Sequence, residues 1–304
     1  MMARMYQVKR TARSEYVPIR NLQYHVQVWG QPAPDKTPLV MVHGWMDVAA
    51  SYQFVVDAFS QDHYVIAPDW RGYGKTAANQ ADNFWFPDYL ADLEFLLDHY
   101  APTGQVNLVG HSMGGNVAML YAGVRPERIR RLVNLEGFGM PPTVPAQAPG
   151  RYAKWMDELK ALHRGEMALR PYDAVGGVAR RLTKTNPRLS ADKAEWLARH
   201  WAAENVDGSW SILGDAAHKI TNANLYKEDE VLEIYKRINM PLLAVEASDN
   251  SLDQWWKGAF TLAQYHERLK NVPHAQVARI DDAGHMMHHD QPEILAGLIE
   301  RFII

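Results

Sequence analysis

Short unbroken apolar runs recur along this chain, and each is followed by a stretch in which apolar residues return at helical spacing. Pro38 to Val42, Tyr64 to Ala67 and Pro241 to Val245 are such runs, Val106 to Val109 carries two valines and a leucine, and Arg130 to Leu135 reads as another strand. Apolar character sustained over so few residues marks strands buried on both faces. Ala275 to Ile280 reads as a further strand towards an edge. Ahead of them, Ser14 to Arg20 and Leu22 to Trp29 alternate apolar and polar residues, predicting two antiparallel strands joined at Asn21, and Gln31 to Thr37 is a turn. The helical stretches are Ser51 to Phe59 (Phe54, Val55, Ala58 and Phe59 inward), Phe86 to Tyr100, Asn116 to Gly123, Glu230 to Arg237, Phe260 to Leu269 and Pro292 to Ile303. In Phe86 to Tyr100 the apolar stripe is Leu90, Leu93, Phe95, Leu96 and Leu97. The final helix is expected to open at Asp290.

Strands alternating with helices imply a mostly parallel sheet with helices on both faces, linked by right-handed crossovers. The rhythm breaks between about Met140 and Leu225. Pro141, Pro142, Pro145 and Pro149 open a linker, and helical patterns without buried strands follow. That segment holds Trp155, Trp196, Trp201 and Trp210, four of the ten tryptophans, and reads as a helical cap inserted into the sheet domain. The expected division is residues 1–139 and 226–304 for the core and 140–225 for the cap.

A length of 304 residues and 47% hydrophobic content suit one large core with such an insertion. A formal net charge of −3 shows no bias towards nucleic acid. The absence of cysteine removes disulfides, thiolate metal sites and cysteine nucleophiles together. Met1 to Arg13 carries Arg4, Lys9, Arg10 and Arg13 with no apolar stretch, so it does not read as a secretory signal. No apolar run approaches the roughly eighteen residues of a membrane span. A cytoplasmic protein, acting on a small molecule and without contact to nucleic acid or membrane, is the expectation.

In open sheets of this kind, functional groups gather at the carboxyl ends of the strands. His43-Gly44-Trp45, Asp69, Ser112 and Glu136 all lie just past such ends. The most telling stretch is Val106 to Gly115, where a strand breaks into Gly110-His111-Ser112-Met113-Gly114 and a helix follows at once. Small residues on both sides of Ser112 permit a sharp turn that exposes its hydroxyl at the positive end of the helix. A serine hydroxyl needs a base within hydrogen-bond reach, and the base needs an orienting carboxylate. His285, in Ala283-Gly284-His285 after the last strand, is the expected base. His288 and His289 read as surface residues near the final helix, and a metal site from His285, His288, His289 and Asp290 is set aside as too crowded. Gly74-Lys75-Thr76 is not a phosphate loop, because Asp69 stands where its first glycine is required.

Strand-His43-Gly44, Asp69-x-Arg71-Gly72-x-Gly74, Gly110-His111-Ser112-Met113-Gly114-Gly115 and Gly284-His285 occur in order. Together they resemble the α/β-hydrolase superfamily, in the cap-bearing branch that includes esterases, epoxide hydrolases and haloalkane dehalogenases. The resemblance covers nearly all of the chain outside the cap and implies an eight-stranded, mostly parallel sheet. The dehalogenases and epoxide hydrolases use an aspartate nucleophile, whereas position 112 is serine. Counted on from Pro241, the family's usual acid position falls on Asn250, which carries no charge, with Asp249 beside it. One subgroup similar to the dehalogenases takes its acid from the strand end that here carries Glu136. Glu136 is therefore the first candidate and Asp249 the alternative. The backbone N–H groups of Met113 and Trp45 are the expected oxyanion donors. His43 is expected to be structural, with Asp69, Arg71 and Asp47 fixing loops beside the site.

The resemblance implies a serine hydrolase that cleaves carboxylic esters through an acyl-enzyme, without metal or organic cofactor. A pocket lined by aromatic and apolar residues, Trp45, Phe138, Trp155 and Trp210 among them, is expected under the cap. Hydrolysis of a carbon–carbon bond in a diketone or acyl transfer would use the same triad. A ligand receptor of the same fold is the non-enzymatic alternative.

Overall fold

The computed structural model describes residues 5–34, 36–77 and 81–304, so Arg4, and Asp35 within the turn read over Gln31 to Thr37, lie outside the described residues. The chain opens with β1 (Arg13–Ile19) and β2 (Leu22–Trp29), antiparallel across a turn in which Arg20 adopts φ 55°. There follow β3 (Leu39–Val42), α1 (Gln53–Ala58), β4 (Val65–Pro68), α2 (Pro87–Tyr100), β5 (Val106–His111), α3 (Met113–Val124) and β6 (Ile129–Leu135). The chain then leaves the sheet for α4 (Ala148–His163), α5 (Val175–Thr185), α6 (Ala191–Trp201) and a small hairpin of β7 (Ala202–Glu204) and β8 (Trp210–Ile212). It returns through α7 (Glu228–Tyr235), β9 (Leu242–Ala247), α8 (Leu252–Trp256), α9 (Leu262–Leu269), β10 (Ala275–Ile280), α10 (Met287–Asp290) and α11 (Pro292–Ile303).

Eight strands form one sheet in the order β1-β2-β4-β3-β5-β6-β9-β10. Only β2 runs against its neighbours; the rest are parallel. Every residue of β3, β4, β5 and β9 is buried, which is why β3, β4 and Leu242 to Val245 of β9 read as apolar runs. β10, at the edge, is largely open. One face packs Trp70, Leu93, Val117 and Tyr235 beneath α2, α3 and α7. The other packs Tyr52, Val55, Met287 and Ile299 beneath α1 and α11.

Between β6 and β9, α5 and α6 build a separate cluster from Val178, Leu182 and Leu197, which closes on Val48, Ala50 and Phe54 of the core. Trp196, Trp201 and Trp210 pack against that cluster. The β7–β8 hairpin departs from the expectation of helices alone; it turns at Gly208, φ 82°. α4 carries no buried residue. Among the described residues no helix is long and apolar enough to cross a membrane.

Three local expectations are corrected. Phe95 is 51% exposed, because a residue two places after Leu93 points to the far side of the helix. Its place on the inner face is taken by Asp92. Asp290 does not open α11; Pro292 is that helix's first residue, and Asp290 closes α10. The helix expected from Ser51 begins instead as a single 3₁₀ turn, Ala49–Tyr52, before α1.

Asp92 is buried without penalty because four donors surround it. The Arg71 guanidinium grips it through Nε and Nη2, each at 2.6 Å, Arg20 Nη1 stands at 3.1 Å, and Tyr24 donates its hydroxyl. This pair ties the loop after β4 to α2. Removing one partner of a buried ion pair leaves an uncompensated charge. Asp92→Ala is expected to lower unfolding stability by about 3–5 kcal/mol, measured by urea denaturation; a loss below about 1 kcal/mol would mean that the pair is effectively solvated.

Candidate active site

The turn from β5 into α3 forces Ser112 to φ 53° and ψ −116°, a conformation that costs a non-glycine residue about 1–3 kcal/mol. Two backbone bonds hold it: Ser112 N–H donates to Leu135 O at 2.8 Å, and Asn116 N–H donates to Ser112 O at 3.0 Å. The flanking glycines are required by space. A Cβ at Gly110 would run into the carbonyl of Gly114, and one at Gly114 into the carbonyls of Val42 and His43. Gly44 packs against the serine itself, since a Cβ there would stand 3.0 Å from Ser112 Cβ.

The Ser112 hydroxyl meets His285 Nε2 at 3.0 Å, and His285 Nδ1 meets Glu136 Oε2 at 2.7 Å. With Nδ1–H donating to the carboxylate, Nε2 is free to accept the serine proton. The Glu136 side chain is fully buried, while that of His285 is 19% exposed. Glu136 sits just past β6 at φ 51°, and its carboxylate accepts from Ala247 N–H (3.0 Å), Ser251 Oγ (3.1 Å) and Ser251 N–H (3.4 Å). A buried carboxylate is tolerated only when so supplied with donors. Asn134 braces the turn, with its amide bonded to both N–H and C=O of Gly137 and to Tyr265 Oη.

Asp249, the alternative acid, is not brought to His285. Its side chain is 71% exposed and faces Arg188 at 3.3 Å. Met113 is the first residue of α3, so its N–H is among the first-turn donors that lack an intrahelical acceptor. Trp45 follows Gly44 directly; its indole donates to His218 O at 3.1 Å and meets Trp255 edge to face at 6.4 Å. Both tryptophans are exposed. His218 is stacked between Tyr73 and Phe84, and burial pushes its imidazole down to about 3.

The other expected lining residues lie elsewhere. Phe138 is buried in the core against Tyr265, the Trp155 indole donates to Asn83, and Trp210 belongs to the cluster of α5 and α6. A cavity of about 390 Å³ reaches His285, but its walls are polar: Asn186, Arg188, Ser248, Asp249, Asp253 and Gln254. The expectation of an apolar, aromatic-lined pocket is therefore corrected at this cavity, whose wall comes from the turn between α5 and α6, the loop after β9 with α8, and the segment around His285, and not from the tryptophans.

His43 is structural in geometry: Trp70 N–H donates to its Nε2 at 2.9 Å, and its Nδ1 donates to Gly44 O at 2.8 Å. Burial lowers its pKa, against the opposing pull of Asp47 and Asp69. Asp69 accepts from Ala49 N–H, Lys75 N–H and His25 Nδ1. His288 and His289 correct the surface reading, being 0% and 2% exposed; α10 turns both inward. His111, within the serine motif, donates Nε2–H to the carbonyl of His285 at 2.8 Å. Burial, then the neighbouring His288 and His285, hold its pKa well below the ordinary histidine value. Ser251, Asn134 and His111 were missed as supports. The one available signal is a polar residue near the end of each of two buried strands, His111 on β5 and Asn134 on β6.

An eight-stranded sheet with a strained serine at the central strand end defines a class, and the profile of the α/β hydrolase fold matches residues 37–292. The chain belongs to the α/β-hydrolase family. It is 26% identical to a serine hydrolase-like protein of Danio rerio, over 97% of this chain and 89% of that one. It is 27% identical to a cis-3-alkyl-4-alkyloxetan-2-one decarboxylase of Shewanella oneidensis, over 88% and 81% respectively. Among solved structures, the thioesterase domain from the curacin biosynthetic pathway superposes with a TM-score of 0.81 at 22% identity, covering 95% of this chain and 99% of that one. That likeness concerns the fold.

The glycine constraints yield a paired expectation. Gly114→Ala is expected to cost about 1–3 kcal/mol or more through overpacking against β3. Gly150→Ala, in α4 with open space around it, is expected to be neutral or to stabilise by up to about 1 kcal/mol. Urea midpoints of the two variants decide it; equal values would mean that the elbow is not sterically closed.

Proposed function

We propose that this protein is a serine hydrolase cleaving carboxylic esters through an acyl-enzyme. The observation that carries the reading is the continuous chain of contacts from Ser112 Oγ through His285 to Glu136, at 3.0 and 2.7 Å. As Ser112 Oγ attacks the acyl carbonyl carbon, His285 Nε2 takes its proton. The C=O electron pair moves onto oxygen, where the N–H groups of Met113 and Trp45 stabilise it. Each such donor is worth about a hundred- to a thousandfold in rate. The tetrahedral intermediate collapses as His285 returns the proton to the leaving alcohol. Water then repeats the sequence on the acyl-enzyme, with His285 as base, and releases the acid. Glu136 remains ionised throughout, fixing the ring and stabilising the imidazolium.

The serine hydrolase-like relative supports the reaction class. An oxetan-2-one is itself a cyclic ester, so the substrate class in the second relative's name also presents an acyl carbonyl. The exposed pair Trp45 and Trp255 offers aromatic surface at the residue after Gly44, which packs against Ser112, and the polar cavity at His285 offers hydrogen-bonding groups. Together they favour an ester with one apolar and one polar arm.

Short-chain p-nitrophenyl esters provide the test. Ser112→Ala is expected to lower kcat/KM by about 10⁴-fold or more, and Glu136→Gln by about 10³–10⁴-fold, as for other triads. Asp249→Asn, which loses an exposed ion pair in the cavity wall but leaves the Glu136–His285 contact in place, is expected to keep kcat on these short esters, which lack a polar arm, within about twofold. Turnover that survives Ser112→Ala, or a loss in Asp249→Asn matching that of Glu136→Gln, would overturn the assignment.

A further inference from the structure

Around His111, the residue before Ser112, lies a set of buried polar atoms that the proposed reaction does not use. Asp47 Oδ2, His111 Nδ1 and both ring nitrogens of His288 have no hydrogen-bond partner among the described residues. All three residues are buried, at 3%, 1% and 0% exposure. One atom from each lies within 4.8 Å of the others. His288 Nε2 stands 3.5 Å from Asp47 Oδ2, and the His111 and His288 rings are 4.4 Å apart. Apart from that approach of Asp47 to His288, these buried polar atoms are unpaired, which is costly, so the convergent set calls for an occupant.

The far sides of His111 and Asp47 indicate which; His288 Nδ1 has no such partner among the described residues. His111 gives its other nitrogen, Nε2–H, to the carbonyl of His285, which fixes the tautomer and aims the Nδ1 lone pair into the cluster. Asp47 is held by its other oxygen, Oδ1, which accepts from Val48 N–H (2.9 Å), Ser51 Oγ and the Trp201 indole (3.1 Å). A histidine whose second nitrogen is bonded to a carbonyl, beside a carboxylate whose second oxygen is saturated, is the outer arrangement that metal ligands have. Two imidazole nitrogens and one carboxylate oxygen form a donor set suited to zinc and similar divalent ions. Ligand atoms on a tetrahedral zinc stand about 3.3 Å apart, close to the present separation of Asp47 and His288.

We propose that Asp47 Oδ2, His111 Nδ1 and His288 Nε2 form a site for a divalent transition-metal ion, with a fourth position left for water. Such an ion would join three segments of the chain: the loop after β3 through Asp47, the serine turn through His111, and the short helix after His285 through His288. It would thereby lock the segment carrying His285 against the nucleophile. The site stands whether or not ester hydrolysis is the reaction.

The full chain is freed of metal by chelator dialysis, then titrated with Co²⁺ and dialysed against micromolar Zn²⁺, with metal content read by mass spectrometry. One ion per chain is expected, with visible Co²⁺ d–d bands of a four-coordinate nitrogen and oxygen site and a rise of several degrees in thermal midpoint. His288→Gln and Asp47→Asn are each expected to abolish the bound ion and the bands. His163→Ala, at an exposed pairing with Asp82, is expected to retain both. Failure of the wild-type chain to hold an ion, or an ion and bands that persist in both cluster variants, would overturn the site and leave water as the occupant. If a variant does not fold, the wild-type stoichiometry and Co²⁺ spectrum decide alone: absence of the bands refutes the proposal.

Discussion

Ser112 can hold a left-handed backbone only because three strands close around it without side chains in the way. Its N–H is anchored on β6 through Leu135, and its turn rests on the carbonyls at the end of β3, where Gly114 leaves no room for a Cβ. The local cost of about 1–3 kcal/mol is offset by the burial of β3, β5 and β6 side by side. A flexible loop could not maintain it. The sheet is thus the device that keeps one hydroxyl exposed at a helix start, and every other functional group is positioned relative to that point.

The carboxylate illustrates how the same constraint selects among residues. Glu136 leaves β6 at a positive φ, next to the strand that carries the serine, and lies deep enough to need several donors. The end of β9 and the loop after it supply them: Ala247 N–H and Ser251. That loop therefore provides hydrogen-bond donors where a different arrangement would provide the acid. Asp249, one turn away, faces outward to Arg188, and its charge is solvated. Two carboxylates at this spot would repel each other across a buried site, so the arrangement is exclusive.

Much of this was legible in the residues. Continuous apolar runs located the buried strands, because a strand covered on both faces admits no polar alternation. Gly110 to Gly114 announced the elbow, since small residues on both sides of a serine have few other reasons to stand between a strand and a helix. What was not legible depended on partners distant in sequence. His288 and His289 look like surface residues until α10 folds them against Asp47 and Phe54. Asp92 looks like an outward charge until Arg71 meets it. The β7–β8 hairpin did carry a local signal, Asp207-Gly208, but strands of three residues are too short for alternation to register. The choice between Glu136 and Asp249 turned on which loop reaches His285, and spacing along a chain does not contain that distance.

The position of His285 is determined from three directions at once. Glu136 holds its ring, His111 holds its carbonyl from the serine turn, and Asp290 accepts from Gly284 N–H at 2.9 Å. Asp290 also accepts from Asn186 at 2.7 Å, a residue of the turn between α5 and α6 that walls the polar cavity. The inserted helices are therefore coupled to the base through two hydrogen bonds, and not merely laid over it. A change in that turn alters the cavity wall and, through Asp290, the backbone that carries His285. The cavity wall and the backbone that carries His285 therefore share the Asn186–Asp290–Gly284 hydrogen bonds, so a substitution at Asn186 would act on both at once.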